Sequence, residues 1–382
     1  MRMKFRLPAG LLILISLCIL TSCSNSSNTS PTSGTGYLWV IAQGNTSAQA
    51  YTVNLNNGEL TANGNLVSTG TAPSAAVVAP SGKAMFVANG GSNTVSSFTI
   101  NSDGTLTAGT TSYPTGQTPV SLAIDPAGKF LFVANQADST ISVFSVESTT
   151  LSAVGTFSTQ DPSNPGLSAP SALAVTASGN FLYVANQLTN SVSGFTYDAT
   201  SGSLTPLSTF SVPAGTNPSA LVLSPVLASS PGASFLYVGN AGSNDISVFA
   251  ACTVASTTCS SPNGLLSPIT GSPFAAGLNP VSLAVTPGGA FLYAADKGSN
   301  QISGYKVGQN SGALTPTTTA TFSVGTSPTW IAIPPNGGYV YVANFGSASI
   351  AAYGINTTNG FLGQVTGSPY SVSTAPSALA LR

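Results

Sequence analysis

The stretch GNFLYVANQLTNSVSGF, Gly179 to Phe195, joins an unbroken apolar run, Phe181 to Ala185, to a polar turn and a mixed second run. Variants recur as GKFLFVANQADSTISVF from Gly128 and GGYVYVANFGSASIAAY from Gly337. Aligning the apolar run gives seven copies, ending at Ala42, Asn89, Asn135, Asn186, Asn240, Asp296 and Asn344. The spacing runs from 46 to 56 residues, the length of a unit of four short strands.

Each unit reads as four strands. The first follows a proline and is rich in small residues, as in PVSLAI from Pro119 and PSALAV from Pro170, which suits a crowded central axis. The second is apolar at every position, as a strand covered on both faces must be. The third is more mixed and lies further out. A hairpin glycine precedes the fourth at Gly58, Gly104, Gly202, Gly264, Gly312 and Gly360, where a positive φ is needed. The third unit has Ser148-Thr149-Thr150 instead. The chain enters the pattern at a second strand, Tyr37 to Val40, and leaves it on a first strand, Pro376 to Leu381, so the two halves complete one blade and close a ring. The expected fold is therefore all-β: a seven-bladed β-propeller of four-stranded blades over residues 37–382, with the C-terminal strand completing the N-terminal blade. A closed ring leaves no sheet edge unpaired at its joins, and the expected state is a monomer.

On the Tyr/Phe-Val-Ala-Asn runs at Asn89, Asn135, Asn186 and Asn344, followed by SNTV, DSTI, TNSV and SASI, the chain resembles the YVTN-repeat and lactonase-like seven-bladed propellers, which include bacterial 6-phosphogluconolactonases. The resemblance spans Tyr37 to Arg382. It implies the propeller fold and, for the enzymatic members, hydrolysis of a lactone or related ester.

The N-terminal segment reads differently. Arg2, Lys4 and Arg6 precede an apolar stretch, Leu7 to Leu20, too short to span a bilayer. The stretch ends at Leu20-Thr21-Ser22-Cys23, which resembles a lipobox. Residues 1–22 are expected to be a lipoprotein signal peptide, Cys23 the lipidated N-terminus, and the Ser/Asn/Thr-rich residues up to 36 a flexible tether to a membrane. The expected location is the bacterial cell envelope, at the outer membrane or cell surface. In that oxidising setting Cys252 and Cys259, seven apart, are expected to form a disulfide.

Charge narrows the function classes. Beyond residue 23 five basic residues face nine acidic ones, too few cations to track phosphates, so nucleic acid is excluded as a partner. The chain has no histidine, which excludes Ser-His-Asp and Cys-His nucleophiles, and the cysteine spacing fits no zinc site. No metal and no cofactor are expected.

The turns between second and third strands share a face with the loops leading into each first strand, such as Gln117-Thr118, Thr216-Asn217 and Leu278-Asn279, and channel mouths there commonly hold ligands. Asn89, Asn135, Asn186, Asn240 and Asn344 form a ring on that face. They serve either as a neutral surface for a glycan, a peptide or an envelope protein, or as caps of their own turns. Departures from the repeat are sharper candidates. Asp296 replaces asparagine and is followed by Lys297, a general base with an oxyanion partner or else an exposed ion pair. Asp138 and Asp245 lie in equivalent loops. Trp330 and Phe345 are candidates for stacking on a ligand or for filling gaps between blades. Two functions follow: a tethered binding and recognition scaffold acting through its loop face, and a lactone or ester hydrolase of the envelope.

Overall fold

The computed structural model describes residues 34–163, 166–225, 234–253, 259 and 261–382; the expected signal peptide, Cys23 and most of the expected tether lie outside them. The described residues form one compact unit. Seven antiparallel sheets follow one another around a central channel, each ordered from an inner first strand to an outer fourth. Blade 1 is the closing blade: Pro376–Leu381 pairs with Thr35–Ala42, Leu38 opposite Leu381 and Val40 opposite Leu379. The ring thus closes as the split repeat requires, with the N-terminal strand starting two residues earlier than expected.

The second strands, Ala84–Asn89, Phe130–Asn135, Phe181–Asn186, Phe235–Asn240, Phe291–Asp296 and Tyr339–Asn344, are buried at every residue. Each face of a blade packs on a neighbouring blade, so the period-two alternation of a one-sided sheet is lost and the run becomes continuously apolar. Outer strands mix buried and exposed positions, as Leu204–Pro213 does with Leu204 and Leu207 turned inward. In blades 5 and 7 the outer strand is broken into two pieces, Leu266–Pro268 with Phe274–Ala275 and Leu362–Gln364 with Tyr370–Ser371.

Two sets of contacts join blade to blade. At the inner strands one hydroxyl bridges each of the seven joints. Ser377, Ser74, Ser171, Ser219 and Thr329 donate to the carbonyls of Pro73, Pro119, Pro218, Pro280 and Pro376. Where valine takes that position, Val120 and Val281, the next residue substitutes: Ser121 and Ser282 accept from the amides of Leu173 and Ile331. Each such bond contributes on the order of 1 kcal/mol, and together they hold the ring's radius.

Further out, the hairpin glycine of six of the blades sits under the first aromatic of the preceding blade's second strand. Gly264, with φ +74, lies under Phe181, and a side chain there would collide with the ring. Beside it the Tyr183 hydroxyl donates to the Gly264 carbonyl at 2.7 Å, and Tyr293 and Tyr341 repeat the bond to Gly360 and Gly58. The unit that lacks the glycine, blade 3, faces Ala84 on blade 2 instead of an aromatic. The two halves of the lock are missing together, as steric complementarity demands.

Candidate functional site

The residue that follows each second strand has its backbone amide bonded to the residue just before a first-strand proline. Gln43, Gly90, Gln136, Gln187, Ala241, Lys297 and Phe345 donate to Ala375, Ala72, Thr118, Ala169, Asn217, Asn279 and Ser327 at 2.9–3.0 Å. These positions therefore stand beside the inner strands and outline the channel mouth. Six of the acceptors have φ between +48° and +57°, a conformation held by its surroundings. In four joints an asparagine of the preceding blade supplies the hold: the side chains of Asn93, Asn190, Asn244 and Asn300 accept from the amides of Thr118, Asn217, Asn279 and Ser327 at 2.7–2.8 Å. The rim is stapled all round and preorganised.

The asparagine ring itself does not face the mouth. Asn89, Asn135, Asn240 and Asn344 have no exposed surface and Asn186 has 1 %. Each amide donates within its own blade, as Asn186 does to Ser193 at 2.7 Å and Asn240 to Ser247 at 2.9 Å. The reason is the strand: the last residue of a run covered on both faces is itself covered, and the exposed residue is the next one. The ring caps turns from inside the wall. Asp138 and Asp245 are likewise engaged, accepting from the Gln117 amide at 2.6 Å and from Asn240 at 2.7 Å.

Asp296 and Lys297 part company. The Asp296 carboxyl is fully buried, and Ser303 donates to its Oδ2 at 2.6 Å, while Oδ1 has no partner. Burial pushes its pKa up to about 7, against smaller lowering contributions from Ser303 and the Gly277 backbone. Lys297 is exposed on the mouth. The exposed ion pair expected between them is replaced by a buried acid and a separate surface cation. Trp330 is half-buried and packs against the cores on both sides of blade 1, while Phe345 stands half-exposed at the mouth.

The mouth thus presents Gln43, Gln136 and Gln187, with Lys297 and Phe345. Gln136 donates to Gln187 at 2.8 Å across the joint of blades 3 and 4. None of the glutamines stood out from the repeat as charged or aromatic departures do; their signal was position, the residue after the buried asparagine. Among the described residues no group of three or more His, Cys, Asp or Glu side chains is placed to hold a metal ion. Cys252 and Cys259 are disulfide-bonded, with Cα atoms 5.4 Å apart, on the face opposite the mouth.

Seven closed blades with a rigid, largely neutral mouth define the class: a β-propeller whose ligand chemistry lies in its loops. More narrowly, the chain belongs to the lactonase, 7-bladed beta-propeller family, which matches residues 35–153, 147–253 and 266–375. No curated protein matches it by sequence. Among solved structures, a candidate 6-phosphogluconolactonase of Bacteroides fragilis superposes with a TM-score of 0.76 at 20% identity, over 93% of this chain and 100% of that one. The periplasmic gluconolactonase of Pseudomonas aeruginosa gives 0.76 at 22% identity, over 91% and 99%. Hydrazine synthase of Kuenenia stuttgartiensis gives 0.59 at 16%, over 84% and 95%. At these identities the likeness is one of fold.

Proposed function

We propose that the channel mouth binds a lactone or a similarly hydroxyl-rich neutral ring, and that the protein acts as a recognition module held at a bacterial membrane by lipid on Cys23. The observation that supports this reading is the mouth itself. Three carboxamides, each both donor and acceptor, suit ring oxygens, carbonyls and hydroxyls; a half-exposed phenyl ring suits the apolar face of such a ligand; and of the carboxylates near the rim Asp296 is buried in the wall, while Asp138 and Asp245 accept from the Gln117 amide and from Asn240. Membership of the lactonase family and the periplasmic location of the Pseudomonas aeruginosa neighbour are in keeping with it.

Calorimetric titration of a lactone panel, with acid release followed in parallel, tests the proposal. Saturable binding that falls at least tenfold in Gln136→Ala/Gln187→Ala, with an unchanged melting temperature, is the expected result. Absence of binding across the panel defeats it.

One observation favours hydrolysis as a second reading: Asp296 titrates near 7 and carries an unpartnered oxygen. In that reading the wall opens for a water to reach Asp296 Oδ1; the carboxylate takes its proton as the water adds to the lactone carbonyl and returns that proton to the ring oxygen as the C–O bond breaks, releasing the hydroxy acid, with no part for Lys297. Acid release abolished by Asp296→Asn supports hydrolysis; binding without acid release leaves the recognition reading standing alone.

A further inference from the structure

The face opposite the mouth carries a cluster that the lactone reading does not use. The position just before the apolar run of each second strand recurs in every blade as Gly36, Lys83, Lys129, Asn180, Ser234, Ala290 and Gly338. Lysine occurs twice, on adjacent blades 2 and 3. Their turns touch, Gly128 lying against Pro80, and Arg382 of blade 1 covers Gly82 with its Nη1 donating to the Gly82 carbonyl at 2.8 Å. Arg382, Lys83 and Lys129 therefore form a row over three consecutive blades, all exposed.

The described chain begins at the same place. Gly34 accepts from the Leu55 amide and Tyr37 donates to the Arg382 carbonyl, and Thr35–Ala42 runs from this face to the mouth. Ten residues lie between Cys23 and Gly34, a reach of at most about 40 Å when extended. Opposing charge on this face is placed differently. Asp125 is buried in its turn, bonded to the Lys129 and Phe130 amides. Glu59, Asp103 and Asp198 stand in or beside the outer hairpins of their blades, and Glu147 is the one acid next to the row, following Val146, whose amide bonds the Lys129 carbonyl. The mouth face has Lys297 as its one described cation beside the part-exposed Asp138, Asp161 and Asp245.

We infer that the face over blades 1 to 3 docks on an anionic lipid surface, with Lys83, Lys129 and Arg382 taking the headgroup phosphates, so that the mouth points away from the membrane. The inference rests on the lipid-anchor reading for its setting, and the charge row can be tested without the lipid. The chain from Pro31 onward closes its own ring. It is mixed with vesicles of phosphatidylcholine alone or with 30% phosphatidylglycerol, at low salt, and sedimented. At roughly fivefold in partitioning per cation near the surface, the expected result is tenfold or greater enrichment on phosphatidylglycerol vesicles, lost in high salt and lost in Lys83→Gln/Lys129→Gln/Arg382→Gln. If Arg382→Gln impairs folding, the double lysine variant, altered only at exposed side chains, is read instead. Equal partitioning onto both vesicle types, or undiminished binding by the variants, overturns the inference. Palmitate labelling at Cys23 decides the anchor separately: a chain that fails to label yet enriches on anionic vesicles keeps the docking face and loses the tether.

Discussion

Blades 4 and 6 are built on one plan and differ at the end of their second strands. FLYVANQ, Phe181 to Gln187, becomes FLYAADK, Phe291 to Lys297. Tyr183 and Tyr293 lock onto the next hairpin in the same way, and Ser193 and Ser303 occupy the same place against Asn186 and Asp296. In blade 4 a neutral amide donates to the serine. In blade 6 the serine donates to a carboxyl, and the rim residue gains a charge. A scaffold that tolerates this exchange separates two properties: the inner position governs stability and its pH dependence, the outer one governs what the mouth attracts.

The largest effects are expected from exchanging the inner residues. Asp296 holds its proton in the folded state up to about pH 7 but loses it near 3.8 in the unfolded chain. The folded state then binds more protons between those values, so stability is greatest below about pH 4, falls as pH rises to about 7, and is level above. Asp296→Asn should remove this slope and raise stability at pH 8 by on the order of 3 kcal/mol, with little change at pH 4. Asn186→Asp should import the same slope into blade 4 and cost a similar amount at pH 8. Urea unfolding at the two pH values checks both, and a pH-independent effect would break the comparison.

Removing the serine partners should separate the blades less strongly. Ser193→Ala should cost about 1 kcal/mol at any pH, the loss of a neutral hydrogen bond, whereas Ser303→Ala should cost about 1.5–3 kcal/mol only where Asp296 is ionised. Because the Ser303 bond lowers the Asp296 pKa, its loss should also move the midpoint of the pH profile upward. The smallest effect on stability, within about 0.5 kcal/mol, is expected at the rim. Lys297→Gln makes blade 6 resemble blade 4 at the mouth and should abolish any preference for an anionic over a neutral lactone, while Gln187→Lys should create a salt-sensitive one. Titrations at two ionic strengths measure both.

The number of blades, the split closing blade and the hairpin glycines, with the one exception in the third unit, were legible because each is imposed by a local rule that repeats. A continuous apolar run, a small-residue inner strand and a glycine at positive φ mean the same thing in every copy. The site was less legible because it depends on which of two adjacent residues faces water. Asn186 and Gln187 are both polar and both end the run, and only the packing of blade on blade decides that the first is covered. Asp296 and Lys297 invited reading as a pair for the same reason. Neighbours in sequence at a strand end point to different surroundings, and a charge on each does not bring them together.

Closure by a split blade also sets an order of events. The strand Thr35–Ala42 is among the first parts of the described chain to be made, yet its inner partner, Pro376–Leu381, is the last strand of all. Until that strand arrives, Trp39 and Ile41 lack the cover that Ala378 and Ala380 provide, and the blade's inner edge stands open. Pairing over so long a separation is slow. The earliest blade to emerge is therefore the final one to be completed, and a chain threaded unfolded across a membrane would pass through whole before its ring could shut behind it.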